Sequence, residues 1–115
     1  MLTKAKYFPL DQATADFLSK PSPIEIIPGV TKLSNLAFST GNVQLRYYQP
    51  GNVDRQVPHN QEELYIVVCG EAVLEYDEGR YRCRIGDAAY MPKMAEHRFI
   101  DATDDFAVWV VYFDA

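Results

Sequence analysis

The fold of this chain is decided by two stretches of sequence, which read GNVDRQVPHNQEELYIVVCG over residues 51–70 and GDAAYMPKMAEHRFID over residues 86–101. Each stretch begins with a glycine and carries a proline ahead of a histidine, His59 in the first and His97 in the second. Glycine and proline mark turns, and the β-branched and aromatic runs beside them mark strands. Both stretches therefore predict a turn that brings a histidine to the start of a strand.

Short β-rich runs continue on both sides of these stretches. They are separated by Gly, Pro, Asn and Asp, and no helical pattern lies between them, which predicts antiparallel strands in a sandwich or barrel. Asp77-Glu-Gly79 predicts a tight hairpin. The predicted strands are residues 32–40, 43–49, 63–68, 72–76, 80–84, 88–91, 97–101 and 106–113.

The first 31 residues have a different texture. Residues 10–20 predict one short helix with Asp11 as its N-cap, and the helix ends before Pro21 and Pro23, which cannot continue it. At 115 residues the chain is long enough for one domain with one core. We therefore expect a single domain, with an N-terminal arm and helix over residues 1–31 and a β-barrel over residues 32–115.

Charge and hydropathy exclude two classes of partner. The 11 Lys and Arg are outnumbered by 16 Asp and Glu, and no basic run stands out, so we expect no binding to nucleic acid. No apolar run approaches the length of about 20 residues that crosses a bilayer, and the first residues do not read as a signal peptide. These features predict a cytoplasmic protein that does not enter a membrane. In that compartment Cys69 and Cys83 are expected to be free thiols, with a disulfide between neighbouring strands as the alternative.

The alternation of side chains along each strand indicates which residues share a face. Glu63, Tyr65 and Val67 share one face of their strand, and His97, Phe99 and Asp101 share one face of theirs. If Glu63 points into the barrel, a pocket that mixes His, Glu, Tyr and Phe follows, with Tyr65 and Phe99 as ligand-binding candidates.

Other patterns leave two interpretations open. Arg46 and Tyr48 share a strand face that either lines the mouth of the pocket and binds ligand or is a solvated outer face. Arg80, Arg82 and Arg84 alternate along one strand, which is typical of a solvent face, with an acidic ligand or partner as the sharper alternative. The apolar run around Trp109 indicates a core strand or a homodimer interface, and we expect a homodimer.

Residues 51–101 resemble the cupin superfamily. The first cupin motif reads Gly, five residues, His-x-His, three or four residues, Glu, six residues, Gly, and Gly51, His59, Glu63 and Gly70 match it, whereas Val57 stands in place of the first His. The second motif reads Gly, five residues, Pro-x-Gly, two residues, His, three residues, Asn. Gly86, Pro92 and His97 match that motif, whereas Met94 and Asp101 replace its Gly and its Asn. The resemblance implies an all-β, double-stranded β-helix (jelly-roll) barrel.

The resemblance also implies a metal site. It maps the second His, the Glu and the last His of the family's ligand set onto His59, Glu63 and His97. Two His and one carboxylate suit a divalent ion such as Fe, Mn, Ni or Zn, with positions left for water or substrate. Because Val57 cannot donate a lone pair, a metal-free pocket in which the three residues hydrogen-bond one another or a ligand is the alternative.

Two functions follow from these two states of the pocket. The first is a metal-dependent dioxygenase, isomerase or lyase that acts on a small organic molecule, with Glu63 and Tyr65 as candidate catalytic residues. The second is a non-catalytic barrel that binds a sugar or organic acid without metal. The fold by itself does not choose between an enzyme and a binding protein.

Overall fold

The computed structural model describes residues 4–20, 23–27, 30–51 and 60–114. Within these residues the chain forms one helix and then nine strands. Their bounds are α1 Leu10–Ser19, β1 Pro23–Ile27, β2 Val30–Thr40, β3 Val43–Tyr48, β4 Glu62–Cys69, β5 Glu71–Tyr76, β6 Gly79–Arg84, β7 Ala88–Met91, β8 His97–Ile100 and β9 Ala107–Phe113.

The strands pair in two antiparallel sheets. The larger sheet has the order β1-β2-β3-β9-β4-β7, and the smaller has the order β6-β5-β8. Strands that follow one another in sequence are thus often placed in different sheets, as β4 and β5 are. This all-β jelly-roll arrangement with a short N-terminal helix confirms the predicted fold class.

The core lies between the two sheets and is built by alternate residues. The larger sheet contributes Tyr65 and Val67 from β4 and Val108 and Val110 from β9, and the smaller sheet contributes residues such as Leu74. Each strand turns its other residues outward, since neighbouring side chains on a strand point to opposite faces. The side-chain alternation predicted from the sequence therefore holds for β4 and β8, the strands that carry Glu63 and His97.

The helix packs on the outer face of the larger sheet, on the side of β2 and β3. Phe17 lies edge-on to Tyr47, with the ring centroids 5.6 Å apart, and the hydroxyl of Thr14 lies 3.1 Å from the Tyr47 hydroxyl. The prediction that Asp11 caps this helix is wrong. The N-cap is Pro9, which forms no side-chain cap, and Asp11 lies in the first turn, where an acidic residue is favoured by the helix dipole.

The strand β1 was not predicted, because its prolines indicate a break rather than a strand. Pro23 pairs with Leu33 at the start of β1, and β1 is the edge strand of the larger sheet. Proline is tolerated at the first residue of an edge strand, since no neighbour needs its missing N–H. The sheet thus begins within the segment expected to be an arm, and β2 begins at Val30 rather than at residue 32.

Two departures from the second cupin motif fall at residues with positive φ. Met94 has φ 62° in the turn before His97, and Asp101 has φ 50° directly after β8. Glycine adopts this left-handed region without strain, and Asn and Asp enter it more readily than other residues do. The motif's Gly and Asn positions are therefore conformational requirements of the two turns, and Asp101 has left the strand whose face it was predicted to share.

The structure also bears on the predictions for the two cysteines, the hairpin and a membrane-spanning segment. Cys69 and Cys83 are free thiols, as expected. Asp77 and Glu78, both at positive φ, form the predicted hairpin, in which Tyr76 pairs with Gly79. In the part of the chain that the structure describes, no helix is both long enough and apolar enough to cross a membrane.

Candidate functional site

Three polar side chains from opposite sheets meet inside the barrel. Glu63 and Tyr65 come from β4 in the larger sheet, and His97 is the first residue of β8 in the smaller sheet. The Tyr65 hydroxyl donates to Glu63 Oε2 at 2.5 Å and lies 2.9 Å from His97 Nε2. His97 Nε2 also lies 3.2 Å from Glu63 Oε1. We call these three residues the polar triad.

The polar triad is shielded from solvent. Glu63 and Tyr65 are 0% and 1% exposed, and the side chain of His97 is 3% exposed. Taking a carboxylate out of water is costly unless hydrogen bonds or an opposite charge compensate, so Glu63 depends on its neighbours in the triad. The rings of Tyr65 and His97 pack at 5.7 Å, which holds the hydroxyl against both partners.

The backbone selects the tautomer of His97. Its Nδ1 lies 2.9 Å from the carbonyl oxygen of Ala95, and a carbonyl only accepts, so Nδ1 carries a proton and donates it there. When the imidazole is neutral, Nε2 then presents a lone pair toward Tyr65 and Glu63. A histidine whose second nitrogen is tied to a backbone carbonyl is the usual arrangement of a metal ligand.

Two of the three donors predicted to hold a divalent ion, Glu63 and His97, lie close together. Two ligands at right angles, each about 2.1 Å from one ion, are about 3.0 Å apart, close to the separation of His97 Nε2 and Glu63 Oε1. Among the described residues no group of three His, Cys, Asp or Glu side chains is placed to hold a metal. The predicted third ligand, His59, and the Val57 position both lie outside the residues described.

An apolar wall continues from the polar triad toward β6 and β7. The cavity there has a volume of about 20 Å³, which is room for one or two water molecules. Burial raises the pKa of the Cys83 thiol in this wall, which keeps it protonated and unreactive. The residues lining the pocket are Tyr65, Val67, Leu74, Cys83, Asp87, Ala88, Ala89 and Phe99.

Arg46 faces the same interior from β3, and it is only 9% exposed. Its Nε donates to Gln44 Oε1 at 3.0 Å, and its Nη1 lies 3.2 Å from both the carbonyl oxygen and the Oγ of Ser34. Burial lowers the pKa of this guanidinium, although Tyr112 opposes the effect. The alternative that Arg46 lies on a solvated outer face is therefore wrong.

The strand register relates Arg46 to the polar triad. Arg46 pairs with Val110 across β3 and β9, and Val110 pairs with Tyr65 across β9 and β4. Neighbouring strands are about 4.8 Å apart, so the backbones of Arg46 and Tyr65 are separated by about 10 Å on one concave face. The sheet thus carries a buried cation and a buried acid-base cluster side by side.

The other predicted ligand-binding residues are part of the core. Tyr48 and Phe99 are both buried, and Phe99 packs between Tyr65 and Phe106 with ring centroids about 5 Å from each. Phe99 borders the polar triad, whereas Tyr48 lies one row further along the sheet, paired with Val108. Sequence reasoning missed Ser34 and Gln44, although Gln44 stands two residues before Arg46 and shares its face.

Arg80, Arg82 and Arg84 lie on the outer face of the smaller sheet and are exposed. Their guanidiniums pair with carboxylates of β5. Arg80 lies 2.8 Å from Glu75, and Arg82 and Arg84 lie 2.7 Å and 3.6 Å from Glu71. The solvent-face interpretation of this strand agrees with the structure.

The sequence of this chain is similar to those of known proteins. The Cupin domain family matches residues 44–113. An uncharacterized protein of Streptomyces coelicolor, SCO3923, is 32% identical over 71 residues, which cover 62% of this chain and 68% of that protein.

Solved structures give the same result for the fold. A Cupin 2 conserved barrel domain protein of Salinispora arenicola has a TM-score of 0.65 and 21% identity, over 98% of this chain and 92% of that one. A predicted oxalate decarboxylase of Thermotoga maritima has a TM-score of 0.59 and 15% identity, over 83% of this chain and 92% of that one. The jelly-roll topology and the match over residues 44–113 together show that this chain belongs to the cupin family.

Proposed function

We propose that this cupin binds a divalent metal ion inside its barrel and uses it to transform a small organic molecule. The observation that carries the proposal is the placement of His97 Nε2 beside the buried carboxylate of Glu63, with Nδ1 tied to the Ala95 carbonyl. An oriented imidazole and a buried carboxylate at this separation are suited to share one cation.

In this proposal Glu63 and His97 are two ligands and His59 is the third. Two histidines and a carboxylate suit Fe, Mn, Ni or Zn and leave positions for water and substrate. The bound ion would supply Lewis acidity or activation of O₂, which suits a dioxygenase, isomerase or lyase. The match to a predicted oxalate decarboxylase is compatible with the lyase class.

The protein's own residues would handle protons and exclude water. The Tyr65 hydroxyl donates its one proton to Glu63 Oε2 and lies within hydrogen-bonding distance of His97 Nε2. A group in that position can give its proton to a substrate oxygen while Glu63 takes one up. Phe99 packs against the Tyr65 ring and keeps water from this side of the cluster.

Metal analysis of purified protein tests the proposal. Wild-type protein is expected to retain near-stoichiometric metal after dialysis, whereas His59→Ala, His97→Ala and Glu63→Gln lose it. Glu62→Gln is the matched control, because Glu62 is a buried carboxylate on the other face of β4. Equal metal content in wild type and in the ligand variants, or none in any of them, would contradict the proposal.

A second candidate function is a metal-free binding barrel. It is favoured by the direct contacts of the polar triad, in which the Tyr65 hydroxyl lies within hydrogen-bonding distance of both Glu63 and His97. A ligand would then raise the melting temperature equally with and without a strong chelator, and no turnover would be seen. Turnover that stops on chelation excludes this alternative.

We further propose that the protein is a homodimer that joins through the outer face of β4, β7 and β9. The helix covers the other half of this sheet face, and here Ile66 and Tyr90 are 36% and 52% exposed. Trp109 and Phe113 lie on the same side, partly buried. The outward residues of these three strands are uncharged except Glu62, which is only 8% exposed, and a largely apolar face meets its own copy favourably across a twofold axis.

A further inference from the structure

We propose that Arg46 is an anion-binding residue of the barrel and that the ligand is a small organic acid, whose carboxylate pairs with this guanidinium. The inference rests on the proposed function in one respect, that the interior receives a small organic molecule. It adds the chemical class of that molecule and the residue that selects it.

The first argument is the mismatch between burial and charge at Arg46. Arginine is almost never this buried unless its charge is paired, because removing a guanidinium from water costs free energy. Arg46 is 9% exposed, and within the described residues no carboxylate lies within ion-pair distance of it. Its contacts are an amide, a hydroxyl and a backbone carbonyl, all of them neutral.

The second argument is a count of donors. A guanidinium has five N–H groups, one on Nε and two on each terminal nitrogen. Gln44 takes the Nε donor, and Ser34 takes the donors of Nη1 through its carbonyl and hydroxyl oxygens. Among the described residues no acceptor is recorded for Nη2, and this nitrogen is not fully buried. Its two N–H donors are therefore accessible to a ligand.

The same contacts hold the cation in place. Ser34 is 0% exposed on β2, and Gln44 precedes Arg46 on β3, so two strands fix the plane of the guanidinium before any ligand arrives. A flexible surface arginine would lose side-chain freedom on binding, whereas this one has already lost it during folding. The arrangement is typical of a preorganised binding group rather than of a surface charge.

The charge and its surroundings define the ligand class. Arg46 shares the interior face of the larger sheet with Tyr65, about 10 Å away at the backbone, and its guanidinium lies against Ser34 on β2. One guanidinium with two available donors balances one negative charge. A carboxylate monoanion carries that charge, whereas a phosphate dianion needs more donors and more positive charge.

Binding of simple carboxylates to metal-stripped, dialysed protein tests the inference. The probes are butyrate and benzoate, the controls are butyramide and benzamide, which match them in shape without the charge, and inorganic phosphate is the competing anion. The readout is the dissociation constant from the NMR shift of the Arg46 Nε–H signal and of backbone amides on β3. We expect carboxylates to bind about tenfold or more tightly than their amides and than phosphate, as expected for a charge-assisted pair of hydrogen bonds.

The variants are Arg46→Met and Arg46→Gln, so that the test survives if one of them fails to fold. Each is expected to weaken carboxylate binding about tenfold or more, while Arg82→Met, which removes a surface arginine, leaves it unchanged. No saturable shift with either carboxylate, equal affinity for acid and amide, or unchanged affinity in both variants would overturn the inference. Because the protein is metal-free here, loss of metal binding in the ligand variants and loss of carboxylate binding are separate results.

Discussion

Removing the hydroxyl of Tyr65 tests whether the buried carboxylate of Glu63 is charged and depends on the polar triad. Tyr65→Phe keeps the ring, and with it the packing against His97 and Phe99, and deletes only the hydrogen bond to Glu63 Oε2 and the hydroxyl contact with His97 Nε2. The Glu63 carboxylate, which is 0% exposed, then loses the hydrogen bond from Tyr65, and water cannot easily replace it.

The matched control is Tyr47→Phe. Tyr47 is equally buried, but its hydroxyl accepts from Gln49 Nε2 at 2.9 Å and contacts Thr14 Oγ1, both neutral groups. A hydrogen bond to a charged group contributes about 1.5–3 kcal/mol to stability, and one between neutral groups contributes about 0.5–1.5 kcal/mol. We therefore expect Tyr65→Phe to lower the free energy of unfolding by about 2 kcal/mol and Tyr47→Phe to lower it by about 1 kcal/mol.

Urea denaturation of metal-free protein, followed by circular dichroism, measures both values. In thermal unfolding the same difference corresponds to a melting temperature lower by roughly 8 °C for Tyr65→Phe and by roughly 4 °C for Tyr47→Phe. The reasoning is refuted if Tyr65→Phe costs no more than Tyr47→Phe. That result would mean that the Tyr65 hydroxyl does not support a buried charge in the absence of metal.

Four further predictions address the turns, the outer faces and association. Met94→Gly should raise stability by about 0.5–1 kcal/mol, because Met94 is exposed at positive φ, and urea denaturation that shows a loss would contradict this. Gly70→Ala should instead destabilise, since a Cβ there would lie 2.6 Å from Asp105 Oδ1. The Arg98 hydrogen bond lowers the pKa of Glu75, so its contribution to stability is present above the unfolded-state pKa and is lost as the pH falls through the folded-state pKa. NMR titration should show a higher Glu75 pKa in Arg98→Gln, and an unchanged value would contradict the assignment. Ile66→Glu should convert the proposed dimer to a monomer in light scattering, and an unchanged molar mass would exclude this face.

The side-chain alternation is the part of the site that could be predicted from sequence. A strand has a period of two, so Glu63 and Tyr65 had to share a face, and so did His97 and Phe99. The resemblance to the two cupin motifs then implied that Glu63 and His97 belong to one site. The structure does bring Glu63, Tyr65 and His97 within hydrogen-bonding distance of one another.

Local sequence patterns gave wrong boundaries for β1 and for the helix, because contacts with the rest of the folded chain set those boundaries. The prolines around residue 23 indicate an interruption, yet an edge position needs no hydrogen bond from Pro23, so the chain forms β1 there. Asp11 has the chemistry of a helix cap, but the helix begins one residue earlier, after Pro9. In both cases the neighbouring structure, which a single stretch of sequence does not contain, set the boundary.

The sequence by itself determined an antiparallel all-β fold and the set of residues that can share a strand face, because strand periodicity and turn chemistry are local properties. The jelly-roll class was implied by the resemblance of residues 51–101 to the cupin motifs. Only the tertiary structure decided which face of each strand is interior. Alternation separates Arg46 from Tyr47 but does not say which of them is inside, since both are large and amphipathic. Packing places Tyr47 under the helix and Arg46 inside the barrel. Arg46 is therefore a buried cation whose hydrogen-bond partners are neutral.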